Sequence, residues 1–204
     1  MREKVLIFLD LFFILVFITL GLMIKADYSI ILAYVSIVPY LILTKREWMI
    51  RQFIAASVIA VIWIMIAHDQ YGYNRSFLSF NNIVLFPLFA WACGLFASYV
   101  IYSHYQRFFM KKGLPFKLLM YLILYWPLLI TMETVAYHLF DIRNEATAHC
   151  TGLPILDCMH APVWMQISYF SLGPIFFIIA MLIDDMERNK KDSGRDRSAV
   201  RKAR

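Results

Sequence analysis

The residue whose type and setting most invite chemistry is Glu133, an acid within the apolar stretch from Leu118 to Tyr137. On a helix crossing a bilayer it would stand about one turn, roughly 6 Å, inside the end of that stretch. An ionisable group at such a depth costs a few kcal/mol unless it is paired, hydrated or neutral. It must therefore face neighbouring helices or a wet cavity. Helical spacing puts Trp126 and Tyr137 on its face. A carboxylic acid so placed is a candidate proton donor. A structural hydrogen bond to a neighbouring helix is the plainer reading, and the residues leave both open.

Other chemistry-bearing residues gather in the connecting segments of the same side. After the third apolar run come His68, Asp69 and Tyr71-Gly72-Tyr73-Asn74. His138 closes the fifth run, and the long loop beyond it carries Asp157 and His160. Glu133 and Asp157, helped by His68, Asp69, His138 or His160, form the candidate catalytic set. His68 and Asp69 are adjacent, and adjacent helical residues point apart, so capping of the third run competes with an acid–base role. The loops after the third and fifth runs echo one another, each opening with His and Tyr close together and ending in a Pro-containing approach to a helix.

Cys150 and Cys158 lie in one loop on the side where disulfides are permitted, with Gly152 and Pro154 between them to fold the chain back. A disulfide is expected. A zinc site from His149, Cys150, Cys158 and His160 has suitable ligand types but no familiar spacing. No metal is assigned. Gly-rich phosphate loops, nucleophile elbows, metalloprotease helices and CxxC pairs are missing from the sequence, and no cofactor is assigned.

The elements that must position these residues follow from composition. The chain is 61% hydrophobic and 17% charged, against about 45–50% and about 25% in a soluble domain. The excess falls in long unbroken runs, and about 20 apolar residues span a bilayer core. In lipid, helices satisfy their own backbone groups, whereas barrel strands would alternate in polarity. Six spans are expected: Val5 to Ile24, Tyr28 to Leu43, Trp48 to Ala67, Asn82 to Tyr102, Leu118 to Tyr137 and Pro162 to Ile183. Pro39 predicts a kink or tilt in the short second span.

Seventeen Lys and Arg fall on one side of these spans and three on the other, or nine against three without the C-terminal tail. That asymmetry places both termini in the cytoplasm. The net charge of +6 is thus a matter of membrane orientation, and nucleic acid is not an expected partner. The first run is too long for a signal peptide's apolar region and reads as a retained anchor in the cell's inner membrane. The expected class is an all-α integral membrane protein, a six-helix bundle over residues 1–184. Residues 185–204 form a basic tail expected to be disordered. Asp10 sits near the cytoplasmic end of span one and should pair with a Lys or Arg there. Ala90, Gly94 and Ser98 recur at four-residue spacing and read as a close-packing face. Trp48 and Trp164 read as interfacial anchors.

Gly152-Leu153-Pro154-Ile155-Leu156-Asp157, after a polar loop with Ile142-Arg143, resembles the Gly-Leu-Pro-Ile-Glu-Glu type motif of the membrane lycopene cyclases of bacteria and archaea. Tyr71-Gly72-Tyr73-Asn74 resembles the Trp-x-Tyr-Asn loop that precedes it in that family. The likeness covers two loops and the helices after them. It implies a small helical protein whose acids protonate a polyene, with Asp157 as the carried-over acid. Leu156 stands where the family's first motif acid would be, and the earlier copy, Asn81-Asn82 to Pro87, has no acid. Two functions fit these readings. One is an enzyme acting on an apolar lipid or isoprenoid by proton-initiated isomerisation, cyclisation or hydration at an extracytoplasmic pocket. The other is a non-catalytic membrane subunit or assembly factor that docks through a disulfide-closed outer loop. One pocket gathering the outer polar residues would favour the first, scattered side chains the second.

Overall fold

The computed structural model describes residues 3–202, with side chains described through residue 186. Six helices carry the fold: α1 (Glu3–Met23), α2 (Ala26–Leu43), α3 (Ile50–Ala67), α4 (Leu85–Phe109), α5 (Leu114–His138) and α6 (Val163–Lys202). All six are long and apolar enough to cross a membrane. The tail expected to be disordered falls mostly outside the residues with described side chains.

Helices α4 and α6 run past their expected ends, to Phe109 and Lys202, and two helix starts differ from expectation for local reasons. The fourth helix starts at Leu85 because Ser79–Phe80 (β1) and Ile83–Val84 (β2) pair as an antiparallel hairpin. Its two-residue turn is Asn81-Asn82, at φ 48° and 62°. Two left-handed residues give the turn whose twist matches the strands, and Asn tolerates that region best after Gly. The fifth helix starts earlier than expected, at Leu114, with Pro115 in its first turn, where a missing N–H loses nothing.

The core lies among α3, α4 and α6, around Trp63, Leu95, Tyr99, Phe176 and Phe177. Helix α4 also packs against α2 and α5, so it is the floor of the bundle. Helix α1 is peripheral. It packs against α2, and its one buried residue is Asp10. Ser29 Oγ donates to Phe17 O at 2.7 Å, a further tie between α1 and α2.

Helix α6 contains Gly173-Pro174, and α5 is shaped to it. Pro174 has no N–H, so the carbonyl of Phe170 loses its helical donor. Trp126 Nε1 donates to that carbonyl at 3.2 Å. Tyr125 OH donates to Tyr169 O at 2.7 Å, and only a glycine at 173 leaves room, since any Cβ would collide with the Tyr125 ring. Trp126, expected on the face of Glu133, is thus engaged with α6.

Candidate functional site

Neither α1 with α4 nor α1 with α5 forms a packed pair. A cleft of about 550 Å³ remains between α1 and α5, floored by α2 and α4. It follows α4 from Phe86 to Tyr105, roughly 28 Å at the helical rise. Its walls are mostly aliphatic and aromatic. Near the loops the ring of Phe140 reaches Gly21 and bridges the gap.

The three small residues of α4 do not form one close-packing face. Ser98 is buried and bonded to Tyr121 OH at 2.7 Å, as a packing face requires. Ala90 and Gly94 instead line the cleft, and a Cβ at Gly94 would meet nothing within 4 Å. Their smallness leaves space in the cleft and brings no helix closer.

Glu133 lines the cleft at its loop end, together with Tyr71, Tyr73, Tyr137, His160 and Tyr169. Its carboxyl has no hydrogen-bond or ion-pair partner among the described residues. The wall around it is fixed by Tyr71. Trp63 Nε1 and Trp91 Nε1 donate to Tyr71 Oη at 2.9 and 3.1 Å. Tyr169 Oη lies 3.3 Å away. Two indole donors occupy the phenol oxygen's lone pairs, so Tyr71's own proton goes to Tyr169. Burial pushes the Tyr71 phenol up to about 12, against the opposing effect of these donors, and Glu133's charge adds to the rise. Burial likewise raises Tyr73. Both phenols are therefore neutral near pH 7.

Two loops hold this end together, those that echo one another in sequence. Asn74 Nδ2 donates to Asp141 O at 3.0 Å, and its Oδ1 accepts from Arg143 N at 3.0 Å. Asn144 does the reverse, accepting from Gly72 N at 3.0 Å and donating to Gln70 O at 2.7 Å. The Tyr71–Asn74 segment is thus clamped to residues 141–146, which fixes the tyrosines below it. Asn144 was not singled out by the sequence, because a lone loop amide carries no signal until its partner is known.

His160 reaches the cleft, and the Gly152–Asp157 segment seats it. Leu153 N donates to Cys158 O at 2.8 Å and Asp157 N to Leu153 O at 3.1 Å, closing a tight turn. A Cβ at Gly152 would fall 2.9 Å from the His160 ring and 2.7 Å from Cys158 O. His160 Nδ1 donates to Cys150 O at 3.0 Å. Its Nε2 is 3.1 Å from Asp157 Oδ1, too far off line for a hydrogen bond. Asp157 itself is 77% exposed and touches the cleft only through His160.

The remaining candidates do not join them. His68 and Asp69 lie on a 3-10 turn after α3, away from the cleft. That turn brings His68 Nε2 to 3.1 Å from Asp69 Oδ1, so adjacency does not separate them as a regular helix would. The pair is largely exposed, and His68 Nδ1 donates to Met65 O, as a helix cap does. His138 is exposed and donates from Nε2 to Leu156 O at 2.8 Å, tying α5 to the Gly152–Asp157 turn. The expected disulfide is corrected: Cys150 and Cys158 are free thiols. Cys158 is fully buried with Sγ 3.4 Å from Thr134 Oγ1, and backbone bonds close the loop instead. Among the described residues no group of His, Cys, Asp and Glu is arranged to hold a metal ion.

The far end of the cleft holds the second acid within a span. Asp10 accepts from Arg46 Nη1 and Nη2 at 2.9 and 2.5 Å, from Tyr40 OH at 2.5 Å and from His104 Nε2 at 2.7 Å. Arg46 Nε donates to Thr44 Oγ1 at 3.2 Å. The Asp10 carboxylate holds the Arg46 guanidinium above its ordinary range, outweighing the opposite effect of burial. No protein-family model, curated protein or solved structure matches the chain.

Proposed function

We propose that this protein is a multi-pass enzyme of the cell's inner membrane that acts on a lipid or isoprenoid within the cleft between α1 and α5. The observation that carries this reading is an unpartnered Glu133 carboxyl in an aromatic-walled cleft that is open along its side. An apolar chain would enter sideways between the helices. Glu133 in its acid form gives its proton to one carbon of a carbon–carbon double bond. The π electrons form the new C–H bond, and a cation develops on the neighbouring carbon. The faces of Tyr71, Tyr73, Trp91 and Tyr169 attract that positive charge. Loss of a different proton completes an isomerisation, attack by a second double bond a cyclisation, and capture of water a hydration. In the first two cases a proton leaves the product for Glu133; in the third, water's second proton restores it.

In this reading the end carrying Asp10, Arg46 and His104 faces the cytoplasm, following the distribution of Lys and Arg. Kinship with the membrane lycopene cyclases is part of the proposal. It is supported by both motif segments, Tyr71–Asn74 and Gly152–Asp157, flanking the Glu133 end of the cleft. One observation favours the docking-subunit reading: Ile155 is wholly exposed at the loop tip, in a left-handed conformation that β-branched residues rarely adopt.

The test is lipid extraction and mass spectrometry of cells carrying the wild type, Glu133→Gln or Gly94→Phe. Glu133→Gln keeps shape but removes the transferable proton, and product should fall about 10²–10⁴-fold. Gly94→Phe fills the cleft without a backbone clash and should also abolish the product. A stable Gln variant that makes product at the wild-type rate rejects acid catalysis.

A further inference from the structure

A second cavity, of about 630 Å³, adjoins the far end of the cleft. Its polar lining is Glu3, Thr44, Lys45, Arg46, Ser103, His104 and Gln106, with Trp48 beside them. His104 lines both spaces, so the polar cavity continues the apolar one. We propose that this cavity holds the phosphate-bearing headgroup of the molecule whose chain lies in the cleft. This rests on the cleft reading above and names the substrate class for it: a long-chain amphiphile anchored at its phosphate, with its far end at Glu133.

Charge and unspent donors both suit this cavity to an anion. The carboxylate that lines the cavity, Glu3, and Asp10 at its junction with the cleft are both already paired. Glu3 is held by Arg107, and Asp10 by Arg46, Tyr40 and His104. Lys45 has no ion-pair partner among the described residues. It is exposed and held at φ 58°, a left-handed conformation, by its N–H bond to Ile42 O. Arg46 has five N–H groups. Three are taken, one by Thr44 and two by Asp10, which leaves one on each terminal nitrogen. Ser103 Oγ spends its one O–H on Val100 O of its own helix, so the free donors are those of Lys45 and Arg46. Paired lysine and arginine donors suit phosphate oxygens. The cavity is also larger than a carboxylate needs. The cleft's roughly 28 Å run along α4 then measures the chain from its headgroup to the proton donor.

The experiment measures binding to the purified full chain in detergent by thermophoresis. Three probes are compared: geranylgeranyl monophosphate, geranylgeraniol and inorganic phosphate. The monophosphate should bind the wild type about tenfold or more tighter than the alcohol, the worth of one charge-assisted bond. Lys45→Glu should erase that preference and leave the alcohol unchanged; Lys45→Gln should reduce it partway. Gly94→Phe should weaken both chains. Equal affinities for the two, or a preference that survives Lys45→Glu, overturns the headgroup assignment while the cleft reading stands. Inorganic phosphate binding as tightly as the monophosphate also overturns it, in favour of a free-anion site. If Gly94→Phe weakens neither chain, the cleft reading itself fails.

Discussion

Two carboxylates line one cleft from opposite ends, and the protein treats them differently. Asp10 receives four hydrogen bonds from three side chains, so each oxygen has two donors. Glu133 receives none among the described residues, although four phenols and an imidazole line the cleft beside it. A buried charge without partners is expensive, so saturation of Asp10 is what ordinary stability requires. In the catalytic reading proposed above, Glu133 is left bare so that a substrate can occupy its donor and acceptor sites. In that reading the contrast separates an acid that holds the structure from one that is kept available.

Breaking each end should therefore show opposite patterns. Arg46→Met removes three bonds at once and leaves the buried Asp10 charge with only the Tyr40 and His104 donors. Unfolding stability should fall by about 3–5 kcal/mol, the usual result of orphaning one member of a buried pair. Helix α1 should loosen first, since Asp10 is its one buried residue. The readout is a thermal melt in detergent beside protease sensitivity of the α1–α2 region. Glu133→Gln, measured the same way, should melt within about 0.5 kcal/mol of the wild type, as a change that breaks no contact does. Equal losses at the two positions would erase the distinction on which the catalytic reading stands.

A smaller effect sharpens the picture at the Glu133 end. Tyr71→Phe deletes the acceptor of both Trp63 and Trp91 and the partner of Tyr169. Two buried indole N–H groups are then left without acceptors, and stability should fall by about 1–3 kcal/mol for each that finds none. Chain binding should weaken as the wall loosens. A Phe variant as stable as the wild type would mean that Tyr71 fixes nothing and that the wall near Glu133 is already mobile.

How much of this could be read from the residues alone differs between the two ends. The six helices were legible because each is a run of apolar residues of spanning length, and that signal is local. Glu133 was legible for the same reason, since an acid within such a run must be accounted for. The Asp10 pairing was half legible: depth called for a cation, but Arg46 stands 36 positions away and His104 94, and only the packing selects them. His68, Asp69 and His138 carried the right chemistry on the right side and still miss the cleft. The short turn after α3 and the Gly152–Asp157 loop decide where they sit. The disulfide inference failed similarly, because spacing permits a bond that burial of Cys158 against Thr134 does not use. Ala90 and Gly94 show that small residues in a span have two uses, to bring helices together or to keep space between them.

The smallest predicted effect is at Trp126, which helical spacing places near Glu133 and the structure turns toward α6. Its indole N–H supplies the bond that Pro174 denies to the Phe170 carbonyl. In lipid an unpaired carbonyl has no water to turn to, so the side chain is tied to a backbone defect on the neighbouring helix. Trp126→Phe keeps an aromatic surface and removes the donor. Stability should fall by about 0.5–1.5 kcal/mol, the net worth of one hydrogen bond, and product formation should not change. The cause can be isolated with a second substitution. Pro174→Ala restores an N–H that can bond the carbonyl four residues earlier in the regular helical way. In that background Trp126→Phe should have almost no effect, so the double-mutant cycle should return most of the single-mutant loss as coupling. The same loss in both backgrounds would mean that Trp126 acts through its packing and not through the Phe170 carbonyl. A loss of product in either background would return Trp126 to the catalytic face of α5.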